Sequence, residues 1–224
     1  MTVQTTAGVL FQTAYESRYT WDENFPGYSA DVQLLQGDEV YTGKIRINHD
    51  LSVKVTDVRD AEVEEGIYIQ LQEMVTHCKR SDFQQSYGKF EFILGEIDKS
   101  GVVEILVQGD SINSHYKIRD QEICQEIRVM GRMALVINTH ENFNTGAGYI
   151  ASRYDAVFRD SKSNQVNSVL KFADTYQKVG DYYIMTKQVV QEYQECANDT
   201  PAQEALSITE FNYSNIKLLE PVTV

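Results

Sequence analysis

The sequence predicts an α+β chain, mainly β, with one large curved antiparallel sheet of about ten strands covered by two helices. Three observations support this. Alternating apolar and polar residues, broken by turn residues, fill most of the chain after Val40. Two stretches with helical period both lie early in the chain. Helix–strand alternation of the βαβ kind is missing, which argues against a parallel sheet.

In the first helix Val3, Ala7, Leu10, Phe11, Ala14 and Tyr15 fall on one face. Thr5, Thr6 and Gly8 weaken its intrinsic propensity, so packing must hold it. It should end before Trp21–Pro26, where Asn24, Pro26 and Gly27 break the pattern. In Val40–Ile47, Tyr41, Gly43, Ile45 and Ile47 alternate with Thr42, Lys44 and Arg46. Asn48-His49-Asp50 is a turn, and Leu51, Val53 and Val55 resume the alternation, giving a hairpin with one wet face. The second helix presents Val63, Ile67, Leu71, Met74, Val75 and Cys78 on one face, with Asp60 as its cap. Glu62, Glu64 and Glu65 fill its first turn and His77, Lys79 and Arg80 its last, matching the helix dipole at both ends.

Strand patterns then continue almost to the end. Phe90, Phe92 and Leu94 alternate with Lys89 and Glu91, and a turn at Asp98–Gly101 leads to Val103, Ile105 and Val107. Further strands are expected near His115–Arg119, Glu122–Met130, Met133–Asn138, Tyr149–Phe158, Asn167–Tyr176, Tyr182–Tyr193 and Ser207–Tyr213. Turns at Asn144–Gly148, Asp160–Asn164 and Val179–Asp181 separate several of them. No linker or low-complexity segment interrupts the pattern, so residues 1–224 read as a single domain.

Composition narrows the function classes. At 224 residues, 42% of them hydrophobic and 24% charged, the chain can bury a sizeable core without a metal or disulfide. Its 33 acidic against 20 basic residues give a net charge of −13, which repels nucleic acid and anionic membrane surfaces. Met1–Leu10 has no basic n-region followed by a long apolar run, so a secretory signal is not expected. No apolar run approaches the roughly 20 residues needed to span a bilayer, so membrane insertion is not expected. The three cysteines, Cys78, Cys124 and Cys196, are odd in number and far apart. That suits free thiols in a reducing compartment, and a cytoplasmic location is expected.

The sequence carries no recognisable catalytic or metal-binding pattern. His49, His77, His115 and His140 include no pair at ligand spacing on one element, so no metal or cofactor is expected. His77 reads as a helix C-terminal charge and His140-Glu141 as a solvated strand end. No Gly-x-Ser-x-Gly elbow occurs, and Cys78 lies on an apolar helix face, where core packing explains it. Asn144–Gly148 is glycine-rich but lacks the Lys-Ser or Lys-Thr of a phosphate loop, and Tyr149 opens a strand behind it. Nor can the sequence place any pair of carboxylates across a cleft. The 14 Tyr, 9 Phe and one Trp suit sheet and core packing, and an apolar cavity would use the same residues.

Several segments carry a resemblance. Phe25–Val32, Gly43–Ile47 with Leu51–Val55, and Lys178–Lys187 resemble a family of cyanobacterial and plastid proteins of unknown function, over most of the chain. The element order is similar to the LolA/LppX lipoprotein-carrier fold: an N-terminal helix, three strands, a helix, then a long antiparallel run wrapped into a half-barrel. That resemblance implies a single LolA-like half-barrel domain and an apolar concavity under the helices that holds acyl chains. The signal peptide and lipid-attachment Cys of periplasmic carriers are not seen near the start, and no catalytic motif carries over.

Three function classes follow. The first is a non-enzymatic soluble binding protein holding an apolar ligand (lipid, isoprenoid or pigment) in the concave face of the sheet. The second is a protein-interaction or assembly factor, for example for the photosynthetic apparatus. The third is an enzyme with an unrecognised site. For the first, the residues expected at the ligand are Phe11, Trp21, Phe25, Ile67, Leu71, Met74, Phe90 and Phe92, on or beside the inner faces of the helices.

Overall fold

In a computed structural model the described residues are 6–109, 114–193 and 205–220. They form three helices and twelve strands. The helices are α1 (Ala7–Glu16), α2 (Ala61–Cys78) and α3 (Phe83–Tyr87). The strands are β1 (Tyr28–Gln36), β2 (Glu39–Ile47), β3 (Val53–Thr56), β4 (Glu91–Ile97), β5 (Val103–Gln108), β6 (His115–Arg119), β7 (Glu122–Met130), β8 (Met133–Asn144), β9 (Tyr149–Asp160), β10 (Val166–Val179), β11 (Tyr182–Tyr193) and β12 (Ser207–Leu218). All twelve join one antiparallel sheet in the order β3-β2-β1-β12-β11-β10-β9-β8-β7-β6-β5-β4. The order starts at β3 and ends at β4, and the sheet is unclosed. The mainly β, antiparallel α+β class is the one the sequence predicts. No described helix is long and apolar enough to cross a membrane.

Several elements differ from the sequence reading. Tyr28–Gln36 is a full strand, with Tyr28, Ala30, Val32 and Leu34 buried and Ser29, Asp31 and Gln33 on the opposite face. Its alternation was legible but hidden behind the Pro26-Gly27 turn. Helix α3 is a single short turn capped by Asp82, whose carboxylate accepts the Gln85 N–H, and is too short to show a period. Leu51 belongs to the turn before β3, with φ of 66°. His140 does not end a strand: β8 runs on to Asn144, paired with β9 past a register irregularity at that point. Helix α2 stops at Cys78, so Lys79 is its C-cap and Arg80 lies outside it. Val3 and Cys196 lie outside the described residues.

The chain divides into two compact units, each assembled from separate stretches. Unit 1 comprises Met1–Tyr19, Ser81–Phe172 and Glu192–Leu206; unit 2 comprises Thr20–Arg80, Ala173–Gln191 and Ser207–Val224.

In unit 1, α1 is capped by Thr6, whose hydroxyl accepts the Val9 N–H. The helix buries Ala7, Phe11, Ala14 and Tyr15 against β4, β6, β7 and α3. Tyr149 anchors its end: the phenol donates to Ala14 O at 3.0 Å and accepts the Ile123 N–H at 3.0 Å. The Tyr19 N–H donates to Tyr149 O at 2.7 Å, and the Tyr149 N–H to Ser17 O at 3.0 Å. Gly148 lets the backbones come this close, since a Cβ there would stand 2.7 Å from Tyr19 N.

In unit 2, Asp60 caps α2 by accepting the Glu62 and Val63 N–H groups, as the sequence predicts. The helix buries Ile67, Leu71, Met74, Val75 and Cys78. β1 is flanked by β2 on one side and β12 on the other, and β3 pairs with β2. Gly27 leads into β1 with φ of 85°, where a Cβ would stand 2.3 Å from Ile47 O. Only glycine fits so close to the next strand.

Candidate functional site

The eight residues expected at a ligand divide between the two units. Phe11, Phe90 and Phe92 belong to unit 1, and Trp21, Phe25, Ile67, Leu71 and Met74 to unit 2. Phe11 is fully buried, and its ring centroid lies 4.6 Å from Tyr116, 5.0 Å from Tyr87 and 5.1 Å from Phe92. Phe83 approaches it at 6.0 Å, and partly buried Phe90 and Phe92 border the same cluster. Edge-to-face and tilted contacts of this kind add to the burial energy of each ring.

The unit 2 residues form a second buried group. Trp21 stacks on Phe25 at 4.1 Å, and Phe25 meets Tyr182 edge-on at 5.0 Å. The Trp21 indole N–H donates to Tyr183 O at 3.2 Å, and its backbone N–H to Cys78 O at 2.8 Å, tying the segment before β1 to the end of α2. Ile67 and Leu71 are fully buried and Met74 nearly so.

Unit 2 also holds a buried amide that sequence reasoning missed. Gln188 is fully buried; its amide donates to Asp174 at 2.9 Å and its carbonyl accepts from Gln70 on α2. Burial, and then the nearby Asp174 carboxylate, push the Cys78 thiol up to about 12 and raise the Tyr213 phenol. Tyr28 is raised too, by burial first and then by Tyr213 and Cys78. A thiol held protonated in this way is a poor nucleophile.

Also in unit 2, a groove of about 750 Å³ opens where β1 begins and β2 and β12 end. Pro26, Leu218 and Leu219 supply apolar surface, while Ser29, Arg46, Asn48, His49, Asp50, Lys217 and Glu220 supply polar groups. His49 is fixed through Nδ1, which donates to Phe25 O at 2.7 Å. The Arg46 Nε–H donates to the neutral Asn48 side chain at 2.8 Å. Asp50 is turned into its own loop: the Ser52 hydroxyl at 2.6 Å and N–H at 3.0 Å both donate to it, holding its carboxyl below the usual range. The Leu219 N–H donates to Gly27 O at 3.0 Å, joining the two ends of the groove's backbone. No motif marks these residues, because the groove needs β1 and β12 paired from opposite ends of the chain. Among the described residues no three His, Cys, Asp or Glu side chains are grouped to hold a metal.

Residues 2–219 match the model of a family described as a protein of unknown function, DUF3386. The chain belongs to the DUF3386 family. No curated protein matches this DUF3386 chain. Among solved structures, one similar chain is a domain described as an outer membrane lipoprotein-sorting protein from Vibrio parahaemolyticus. It is 11% identical with a TM-score of 0.38, covering 96% of this chain and 94% of that one. A DUF1329 family protein from Desulfovibrio piger is 10% identical with a TM-score of 0.28, covering 97% and 93%. A chain of the Pseudomonas aeruginosa MucA/MucB complex is 9% identical with a TM-score of 0.25, covering 97% and 99%. Likeness at this level transfers neither ligand nor partner to the DUF3386 chain.

Proposed function

We propose that this chain is a non-enzymatic binding protein that holds an apolar or amphipathic small molecule of the lipid, isoprenoid or pigment class. The observation that carries the reading is the unit 2 groove. Its volume of about 750 Å³ falls in the ordinary range for small-molecule sites, and it combines apolar Pro26, Leu218 and Leu219 with seven polar residues, of which Arg46, His49 and Asp50 are held by hydrogen bonds. Mixed lining of this kind suits a ligand with one apolar and one polar end. A reducing, cytoplasmic setting for the free Cys78 and Cys124 thiols is part of the same proposal.

Native mass spectrometry of freshly purified protein, with organic extraction of the same sample, tests this reading. A non-covalent adduct that is lost on denaturation and recovered in the extract is the expected result. A bare mass together with an empty extract would remove the carrier reading.

A second reading rests on β4. This strand ends the sheet order, and Ile93, Leu94 and Ile97 are exposed on or beside it. An apolar edge strand is suited to pairing with another chain, so an assembly role would use β4. Replacing Ile93 and Ile97 with Lys would then abolish partner capture and leave any extracted cargo unchanged.

A further inference from the structure

The registers of β3, β2, β1 and β12 set four side chains in one row. Lys54 is opposite Arg46, Arg46 opposite Ser29, and Ser29 opposite Lys217. Residues directly opposed across antiparallel strands share a face, so all four lie on one side of the sheet. It is the outer side: Ser29 alternates with buried Tyr28 and Ala30, and Arg46 with buried Ile45 and Ile47, while Arg46, Lys54 and Lys217 are exposed.

Three features set this row apart. The chain carries a net charge of −13, yet the three cations of the row form no ion pair among the described residues. The neighbouring Lys44 does, with Asp57 at 3.7 Å. Second, Arg46 and Lys54 are like charges placed directly opposite each other, an arrangement that costs stability unless something offsets it. Third, Lys217 joins the row only through a β-bulge. Between Ser29↔Lys217 and Asp31↔Ser214, β12 carries one extra residue. Asn215 has φ of 52°, in the left-handed region, and its amide donates to the Asp31 carboxylate at 2.7 Å. Without the bulge Ile216 would stand opposite Ser29, and Lys217 would turn to the other face. Bulges that re-aim a side chain recur beside functional sites.

The nearby carboxylates keep their charge, but none forms an ion pair with the row among the described residues. Asp31 accepts from Asn215, Asp50 is occupied by Ser52, and Glu220 lies exposed at the groove. Two strand spacings of about 4.8 Å put the Arg46 and Lys217 backbones roughly 10 Å apart, within reach of one small anion by two long side chains. The Ser29 hydroxyl lies between them. We infer that Lys54, Arg46, Ser29 and Lys217 form a recognition site for a phosphate-class oxyanion, supplied either as free phosphate or as the headgroup of an anionic lipid. The inference rests on the reading of the adjoining groove as a ligand site and names the charged end of its ligand. Arginine supplies a planar fork and lysine a point charge, the combination suited to a tetrahedral oxyanion.

The test uses the full chain, inorganic phosphate in calorimetric titration, and flotation with vesicles of phosphatidylcholine with or without phosphatidate. Arg46→Gln/Lys217→Gln should weaken binding about tenfold or more with an unchanged melting temperature. Lys99→Gln, in an exposed unit 1 turn, should bind as the parent does. If the double variant fails to fold, exposed Lys217→Gln alone should still weaken binding severalfold. Binding to phosphatidate vesicles alone would name a lipid headgroup, and binding to phosphate as well would name a free oxyanion; both support the site. No binding to either probe, or equal loss in Lys99→Gln, would overturn it. A neutral extracted cargo kept by the double variant would leave the carrier reading standing and remove the oxyanion site. Phosphate binding at the row with an empty extract would do the reverse.

Discussion

The two units solve the same packing problem with different residues. Unit 1 closes its helix onto the sheet with rings: Phe11, Tyr15, Phe83, Tyr87, Phe92 and Tyr116 meet one another at centroid distances from 4.6 to 6.5 Å. Unit 2 closes α2 with aliphatic Ile67, Leu71, Met74 and Val75, and admits Gln188 and Cys78 beneath them. An aromatic cluster of this kind is tightly specified, since removing one ring takes a neighbour from several others. Buried polar groups cost stability unless every partner is in place, and they are kept where they specify a structure or serve a site. The groove and the cation row also belong to unit 2. We assign the larger share of stability to the ring cluster of unit 1, and the proposed ligand site lies in unit 2.

The largest expected effect tests the first half of that assignment. Phe11→Ala should cost about 3–5 kcal/mol, because it removes the ring at the centre of the cluster. Ile67→Ala, in the aliphatic core, should cost about 2–5 kcal/mol, with the lower half expected since neighbouring aliphatic chains can close the gap. Urea denaturation of both variants gives the two values. A larger loss for Ile67→Ala would reverse the ranking of the cores.

The next effect separates the units by pH. Burial, with Asp174 nearby, raises the Cys78 thiol of unit 2 from 9.0 to about 12. Between those values the unfolded chain releases a proton that the folded chain keeps, so rising pH favours unfolding. The stability is complete below about pH 9 and is lost by about pH 12. In unit 1 burial raises Tyr149 from 10.0 to about 12, so its loss has the same sign and starts one unit later, and the Cys124 thiol, only partly buried, is also raised but without the large shift of Cys78. Alkaline denaturation followed by hydrogen exchange should show unit 2 amides opening first. Cys78→Ala should delay that opening, and a variant that opens at the same pH as the parent would remove Cys78 as the cause.

Much of the fold was legible because local chemistry decided it. Helix α2 carries its cap, its acidic first turn and its buried stripe within one stretch, so Asp60, Ile67, Leu71 and Met74 could be placed correctly. The Asn144–Gly148 turn was likewise local, with the Thr145 N–H donating to Gly148 O across the hairpin. The candidate site was hardly legible. The row needs three strand registers and one bulge, and the bulged residue Asn215 looks like any polar strand residue until its amide is seen to bond Asp31. Aromatic residues suggested a cavity, but periodicity cannot distinguish a ring that faces a ligand from one that faces other rings.

A hydrogen-bond deletion sharpens the comparison further. In unit 1 the Tyr149 phenol serves two backbone groups, Ala14 O and the Ile123 N–H. Tyr149→Phe keeps the ring but takes this partner from the buried Ala14 O and the part-buried Ile123 N–H, and urea denaturation should show a cost of about 1–3 kcal/mol.

The smallest effect comes from the outer face of unit 2. Lys44 and Asp57 pair at 3.7 Å with both side chains about two-thirds exposed. Water and salt screen such a pair, and holding two long side chains together costs entropy, so Lys44→Gln should change stability by less than about 0.5 kcal/mol. Arg46→Gln, directly opposite the like charge of Lys54, should behave differently: removing a repulsion across the ladder should leave stability unchanged or slightly raised. Thermal denaturation at low and high salt distinguishes the two. The Arg46→Gln gain should shrink as salt screens the Arg46–Lys54 repulsion in the parent. A loss of stability in Arg46→Gln would mean that Arg46 is held by favourable contacts, chiefly its bond to Asn48, and that the row stores no repulsion for an anion to relieve.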